Sequence, residues 1–187
     1  LGKKLLITGK GRCNVTNHCS AQEVLANIPR NGKFLYSALE KFPPERIEAF
    51  FEEHQCPLKV ERGNRVFPVS DRSASILDCL KTQLGKAGVH VEHHRVLEIL
   101  QEEGTVTGVR TQGGTYPARW VILATGGLSY PTTGSTGDGY TMAQALGHTI
   151  TTTEGSLVPL ETAGDICQRM QGLSLRNVGV KLVNAKG

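Results

Sequence analysis

Two glycine-bearing stretches hold the residues best placed by type and spacing to do chemistry. The first reads TGKGRCNVTN over residues 8–17. Gly9 and Gly11 bracket Lys10, Arg12 adds a planar cationic fork, and Asn14, Thr16 and Asn17 supply short polar groups that can bond a ligand or the backbone. Taken alone, the stretch is better explained as a surface loop with solvated charges. The second reads ATGGLSYPTTGSTGDGY over residues 124–140. Gly126 and Gly127 lack a Cβ, so the chain can take φ > 0 there and a planar or phosphorylated ligand can approach the backbone closely. Gly137 and Gly139 flank Asp138 just ahead of a predicted helix, where unpaired amides and the positive end of the helix dipole favour a negative group. The plainer alternative is a strand-to-helix connection with Asp138 as an ordinary N-cap.

These stretches need elements to hold them. Trp120–Ala124 is a continuous apolar run rich in β-branched residues, which predicts a central strand buried on both faces of a parallel or mixed sheet. A helix is predicted over 140–146, closed by Gly147. Strand, glycine turn and helix in that order is how α/β folds present amides to a ligand beyond the carboxyl ends of their strands. Leu5–Ile7 reads as mid-strand or mid-turn, and no GxGxxG turn occurs anywhere in the chain.

Downstream, Ser20 and Glu23 form a capping box for a short helix that Pro29 ends. Phe34, Ala38, Leu39 and Phe42, and after two prolines Ile47, Phe50 and Phe51, recur at helical spacing, and their aromatic rings are assigned to the core. Leu58–Val60 and Val66–Val69 read as two strands around Arg62, Gly63 and Asn64. Ser70, Asp71 or Ser73 is expected to cap the next helix, whose stripe is Ile76, Leu77, Leu80 and Leu84. Residues 89–100 read as a further strand, and Glu103–Gly104 and Gly113–Gly114 are turn signals for a β-meander around Thr105–Thr111. Beyond Ile150, residues 151–155 read as a linker, Ser156–Leu160 as a strand, and Leu173, Leu175, Val178, Val180, Leu182 and Val183 as further strands.

With 187 residues, 39% hydrophobic and 20% charged, the chain has ordinary globular composition and enough length for one core or one domain and part of another. The net charge of +4 comes from scattered Lys and Arg, which gives nucleic acid no place among the expected partners and leaves a small-molecule substrate. No apolar run is long enough to span a bilayer and no signal peptide is visible, so no membrane partner is expected. The five cysteines, Cys13, Cys19, Cys56, Cys79 and Cys167, are odd in number and contain no CxxC, which points to a reducing cytoplasm. Cys13, His18 and Cys19 lack a second ligand pair at metal-site spacing, and alternation puts His93 and His94 on opposite faces of any strand, so no metal is expected.

ATGG after an apolar strand, followed by TGDGYTMAQALGH, resembles the segment found in FAD enzymes of the fumarate reductase and aspartate oxidase type. The wider pattern is similar to the BaiN-like flavoproteins, NAD(P)/FAD-dependent oxidoreductases also labelled the aminoacetone oxidase family. GKKLLITGKGRCNVTN (2–17), NRVFPVSDRSASILDCL (64–80), ATGGLSYPTTGSTGDGY (124–140), LGHTI (146–150) and SLVPLE (156–161) carry the resemblance. It implies an α/β, Rossmann-like FAD/NAD(P)-binding domain of the glutathione-reductase type, incomplete at 1–152, with the start of a β-barrel-like insert domain at 153–187. In that family the phosphate-binding βαβ unit lies upstream of the segment matching GKKLL.

The resemblance further implies FAD as cofactor, NAD(P)H as an electron donor and hydride transfer to or from a small organic substrate. The residues it places at the cofactor are Gly9, Lys10, Gly11, Arg12, Cys13 and Asn14, Val96 at the adenine or its ribose, and Ala124, Thr125, Gly126 and Gly127; the glycine content and helix-initiating position of Thr136, Gly137, Asp138 and Gly139 make these the candidates for the isoalloxazine side. No catalytic side chain is singled out. Tyr130 and Arg12 are candidates to face a substrate, and His148 reads as a partner of a helix C-terminus. The competing expectation is a non-catalytic nucleotide-binding or interaction module, and a weaker rival is RNA binding through the scattered basic residues.

Overall fold

A computed structural model of the chain describes residues 1–155, 161–175, 178–179, 181 and 183. It divides into two compact units, Leu1–Ile150 and Thr151–Gly187.

In the first unit, α1 (Lys3–Ile7) runs into a tight coil at Thr8–Gly11, where Gly9 and Lys10 both take left-handed backbone (φ 55° and 58°). Leu5–Ile7 is therefore helical and not part of a strand. A short bridge, β1 (Thr16–Asn17), leads to α2 (Ala21–Ala26), whose capping box is present in full: the Glu23 amide donates to Ser20 Oγ and the Ser20 amide to Glu23 Oε2. A 3-10 turn at Gly32–Leu35 then joins α3 (Tyr36–Lys41) and α4 (Pro44–Glu53).

The hairpin β2 (Leu58–Glu61) and β3 (Arg65–Pro68) forms where the apolar runs predicted it, with Val60 opposite Val66. Val69 falls outside it. β1 adds to its far side, giving an antiparallel sheet in the order β1-β3-β2. Next, α5 (Ser73–Lys86) begins at Arg72 without a side-chain cap; Ser70 Oγ instead accepts from the Arg72 amide, and Ser73 Oγ donates to the Leu6 carbonyl, tying α5 to α1.

β4 (Val96–Glu102), β5 (Thr105–Thr111) and β6 (Gly114–Pro117) form the expected meander, again antiparallel. Glu103 and Gly104 are both left-handed, which is the twist a two-residue hairpin turn needs. The unit closes with α6 (Asp138–Ala145), which starts two residues earlier than its periodicity suggested and takes Gly137, not Asp138, as N-cap.

The core lies between α4, α5 and the first sheet: Cys13, Phe51, Cys56, Ile76 and Cys79 pack together, and Phe67 and Val66 are almost fully enclosed. Three expectations fail here. Phe34 is 87% exposed and Phe42 53%, so the first aromatic group is surface and only the α4 rings join the core. Residues 89–95 form no ladder; the strand begins at Val96. Trp120–Ala124 also forms no ladder, and Trp120 and Ile122 are 88% and 91% exposed. A central strand needs a neighbour on each edge, and no other segment among the described residues pairs with it; apolar composition cannot supply those hydrogen bonds.

In the second unit, the regular element among the described residues is α7 (Ile166–Arg169). Leu173, Leu175, Val178 and Val183 are exposed and lie in no strand, while Ser156–Leu160, Val180 and Leu182 fall outside the described residues. No helix among the described residues is long and apolar enough to cross a membrane.

Candidate functional site

The first bend keeps its shape through its own backbone. The amides of Arg12 and Cys13 donate to the carbonyls of Gly9 and Thr8 at 3.3 and 3.0 Å. A side chain at Gly9 would meet the Asn14 amide nitrogen at 2.7 Å, so glycine is required there twice over, by conformation and by contact. Arg12 does not project freely. Its Nη1 donates to Glu61 at 2.8 Å and to Asp71 at 3.0 Å while its guanidinium lies over the Phe67 ring, 4.0 Å from the centroid. Lys59 closes the network on Asp71 at 2.6 Å. Hydrogen bonds from Arg12 and Lys59 hold the carboxyls of Glu61 and Asp71 below the ordinary carboxylate range. Two cations and two anions are thus matched, and the Arg12 charge is spent inside the protein.

Cys13 is 6% exposed in the core, where burial raises its thiol pKa and its side chain packs with Phe51 and Ile76. His18 pairs with Glu48 at 3.0 Å. Asn14 is exposed.

The two bends meet at Lys4. Its ammonium donates to the Ser129 carbonyl at 2.5 Å and to Ser129 Oγ at 2.9 Å, and it sits 5.9 Å from the Tyr130 ring centroid. A groove of about 770 Å³ opens there, walled by Lys4, Gly9, Lys10 and Arg12 on one side and Ser129 and Tyr130 on the other, with Arg65 and Phe67 between them. Neither Lys10 nor Arg65 has a carboxylate in ion-pair range among the described residues, so the groove carries unneutralised positive charge beside two aromatic rings. Sequence reasoning passed over Lys4, Arg65, Phe67 and Ser129. Phe67 and Arg65 stand in the NRVFPVS segment, but nothing local shows that strand β3 delivers them to the Thr8–Arg12 bend.

A second cluster forms around the start of α6. Arg95 makes a two-pronged pair with Asp138, Nε to Oδ2 and Nη2 to Oδ1, each at 2.9 Å, and Thr136 Oγ1 donates to Oδ1 at 3.0 Å. These bonds, Arg95 foremost, hold the Asp138 carboxyl below its usual range. Val96, next to Arg95 at the start of β4, is half-buried. Gly139 is buried against Thr125; a Cβ there would run into the Thr125 hydroxyl. Gly126 (φ 76°) faces Ser135 Oγ, and Gly127 faces the Tyr140 hydroxyl. No side chain caps the first turn of α6, and Asp138 is turned aside to Arg95. Thr125–Gly127 and Thr136–Gly139 are therefore neighbours, reached by Arg95 from beside Val96, whereas Gly11, Cys13 and Asn14 do not line the groove.

The family described as "HI0933-like protein Rossmann domain" matches residues 1–186. The chain belongs to that family. Its fold is accordingly Rossmann-like in class, and the chain is mixed α/β with two small antiparallel sheets among the described residues. The chain is similar to a 3-dehydro-bile acid delta(4,6)-reductase of Clostridium scindens, 34% identical over 86% of this chain and 39% of that protein. It is also similar to proteins named ribosomal RNA dihydrouridine synthase, from Escherichia coli at 29% identity over 92% of this chain and 42% of that protein, and from Haemophilus influenzae at 27% over 85% and 40%. The chain thus spans about two fifths of the length of these relatives.

Proposed function

We propose that this chain is the central part of an FAD-dependent oxidoreductase that reduces an unsaturated small organic substrate, with NAD(P)H as the electron donor. The observation that carries the reading is the Lys4–Ser129 contact, which makes two bends separated by more than a hundred residues the walls of one cationic groove. Family membership and the reductase name of one relative support the redox class. The names of the relatives describe a double-bond reductase and makers of a dihydro-nucleoside, and the reading takes from them only the reduction of a carbon–carbon double bond.

The residues fit a flavin nucleotide by their chemistry. Lys10 and Arg65 supply charge for an anionic group, Phe67 and Tyr130 offer ring faces, and the uncapped first turn of α6 offers amides and a positive dipole end. When bound, the flavin supplies the hydride-transferring centre. The protein's part is to bind and orient. Arg95 holds Asp138 away from the helix start, which leaves its amides open to a ligand. Gly139 lets Thr125 pack against the first turn of α6, and Gly126 takes a left-handed backbone that a side chain would strain, so the Thr125–Gly127 bend is held close to the helix start. Matched charges around Arg12 keep β2, β3 and the first bend in register, so that Lys10 and Arg65 face the same groove.

The test is the absorption spectrum of the full natural polypeptide as purified. Flavin bands in the blue and near-UV that bleach anaerobically with NADH or NADPH are expected. A colourless protein that FAD cannot reconstitute would overturn the reading in favour of a non-catalytic module.

A further inference from the structure

Three of the five cysteines, Cys13, Cys56 and Cys79, pack together in the core, and two of them face each other. The Cys56 thiol donates to Cys79 Sγ, and Cys79 Sγ donates onward to the His54 carbonyl at 3.8 Å. Cys13 is held beside Thr8 instead. The facing thiols are only 5% and 8% exposed, yet both stand in the wall of a cavity of about 610 Å³, together with His54, Ser70 and Lys86. Cys13 has no place in that wall. The two sulfurs are not equivalent. Burial raises both thiols above their ordinary value, but Cys79 accepts the Cys56 hydrogen bond and lies near the Lys86 charge, and each of these favours its thiolate. Cys56 has neither aid.

We infer that Cys56 and Cys79 are a peroxide-oxidisable pair, in which Cys79 takes the oxygen and Cys56 closes a disulfide onto it. The Cys79 thiolate attacks one oxygen of hydrogen peroxide; the O–O bond breaks, hydroxide leaves and takes up the thiol proton as water, and Cys79 becomes a sulfenic acid. Cys56 Sγ, already in contact, then forms the S–S bond while the S–O bond breaks, and the oxygen departs with the Cys56 proton as a second water. Peroxide gains two electrons and the two sulfurs lose two. The bond closes the segment 57–78, which holds the β2–β3 hairpin and with it Arg65 and Phe67 of the groove wall. Closing that loop restricts the unfolded chain, so the oxidised protein is the more stable form. The proposal is independent of the flavin reading, because the step needs no flavin and the cavity shares no residue with the Lys4–Tyr130 groove.

The experiment treats the full natural polypeptide with hydrogen peroxide, blocks free thiols with iodoacetamide without reduction, and maps the digested peptides by mass spectrometry. A Cys56–Cys79 linked peptide is expected, opened by dithiothreitol and accompanied by a higher melting temperature. Its rate of formation should rise about tenfold per pH unit between pH 7 and 9, as the thiolate fraction grows. Cys56→Ala should leave a sulfenic acid at Cys79 that dimedone labels, whereas Cys79→Ala should leave Cys56 unlabelled. The map of the unsubstituted protein decides the matter even where a variant does not fold. No linked peptide at a peroxide dose that oxidises the exposed Cys167 overturns the proposal. So does a bridge to Cys13, a sulfinic acid at Cys79 with Cys56 still free, or a link that forms only in urea.

Discussion

An arginine beside a glycine bend serves as a phosphate ligand only while no carboxylate claims it. Arg12 is claimed twice, by Glu61 and Asp71, and the groove's free charge rests on Lys10 and Arg65 instead. Replacing Lys10 and Arg65 together by alanine is expected to weaken FAD binding by tenfold or more at low salt while the melting temperature holds. Arg12→Ala should do the reverse, lowering the melting temperature first, because it leaves Lys59 alone to balance Glu61 and Asp71 and uncovers the Phe67 ring. Flavin titration and thermal melts on the same samples separate the two outcomes. The thiols give a second prediction. Burial, with neighbouring Cys79 and Glu52, pushes the Cys56 thiol up to about 11 from an ordinary 9.0. A group raised on folding contributes stability that is present below its unfolded value and lost as pH climbs through the folded one. The protein should therefore lose about 2 kcal/mol between pH 9 and 11 on this account, and Cys56→Ala should flatten that alkaline limb whatever it costs at neutral pH. Native Cys56 should also resist alkylation at pH 8.

At the scale of elements, the local devices were legible in the sequence and the long-range ones were not. The Ser20 capping box, the β2–β3 hairpin and the β4–β6 meander each depend on residues a few positions apart, and all formed. Arg95 has no local signal at all; its meaning comes from Asp138, forty-three residues away, which it draws against β4. That pair gives a pH prediction with a definite sign. Asp138 is held below its usual range, so the pair's contribution is present above the ordinary carboxylate range and lost as pH falls through the lowered value. Hydrogen exchange at the amides of α6 should accelerate in acid before the α4–α5 core opens, and Arg95→Gln should make those amides exchange quickly at neutral pH already. Gly139→Ala tests the same junction sterically. Its methyl group has no room beside Thr125, which predicts a loss of about 1–3 kcal/mol in urea melts and loss of bound flavin.

For the molecule as a whole, Trp120–Ala124 separates what composition can say from what only assembly decides. The run has the residue types of a buried strand and stands in a chain of a Rossmann-domain family, yet here Trp120 and Ile122 lie open to solvent because no described segment pairs with them. Burial of such a strand is a property of the sheet and not of the strand. Trp120 is the one tryptophan in the sequence, so it reports on this alone. In the 187-residue chain its emission should lie close to that of hydrated indole, and acrylamide should quench it nearly as well as the free side chain. In a longer natural polypeptide that supplies a neighbouring strand, the emission should shift to the blue, quenching should fall several-fold, and FAD should quench the residual signal. Exposed apolar residues in an unpaired segment also favour self-association, so the 187-residue chain should show concentration-dependent light scattering that Trp120→Lys with Ile122→Lys suppresses. A blue-shifted, protected Trp120 in the short chain at high dilution would mean that these residues find a partner within it, and that the open arrangement of 120–124 is wrong.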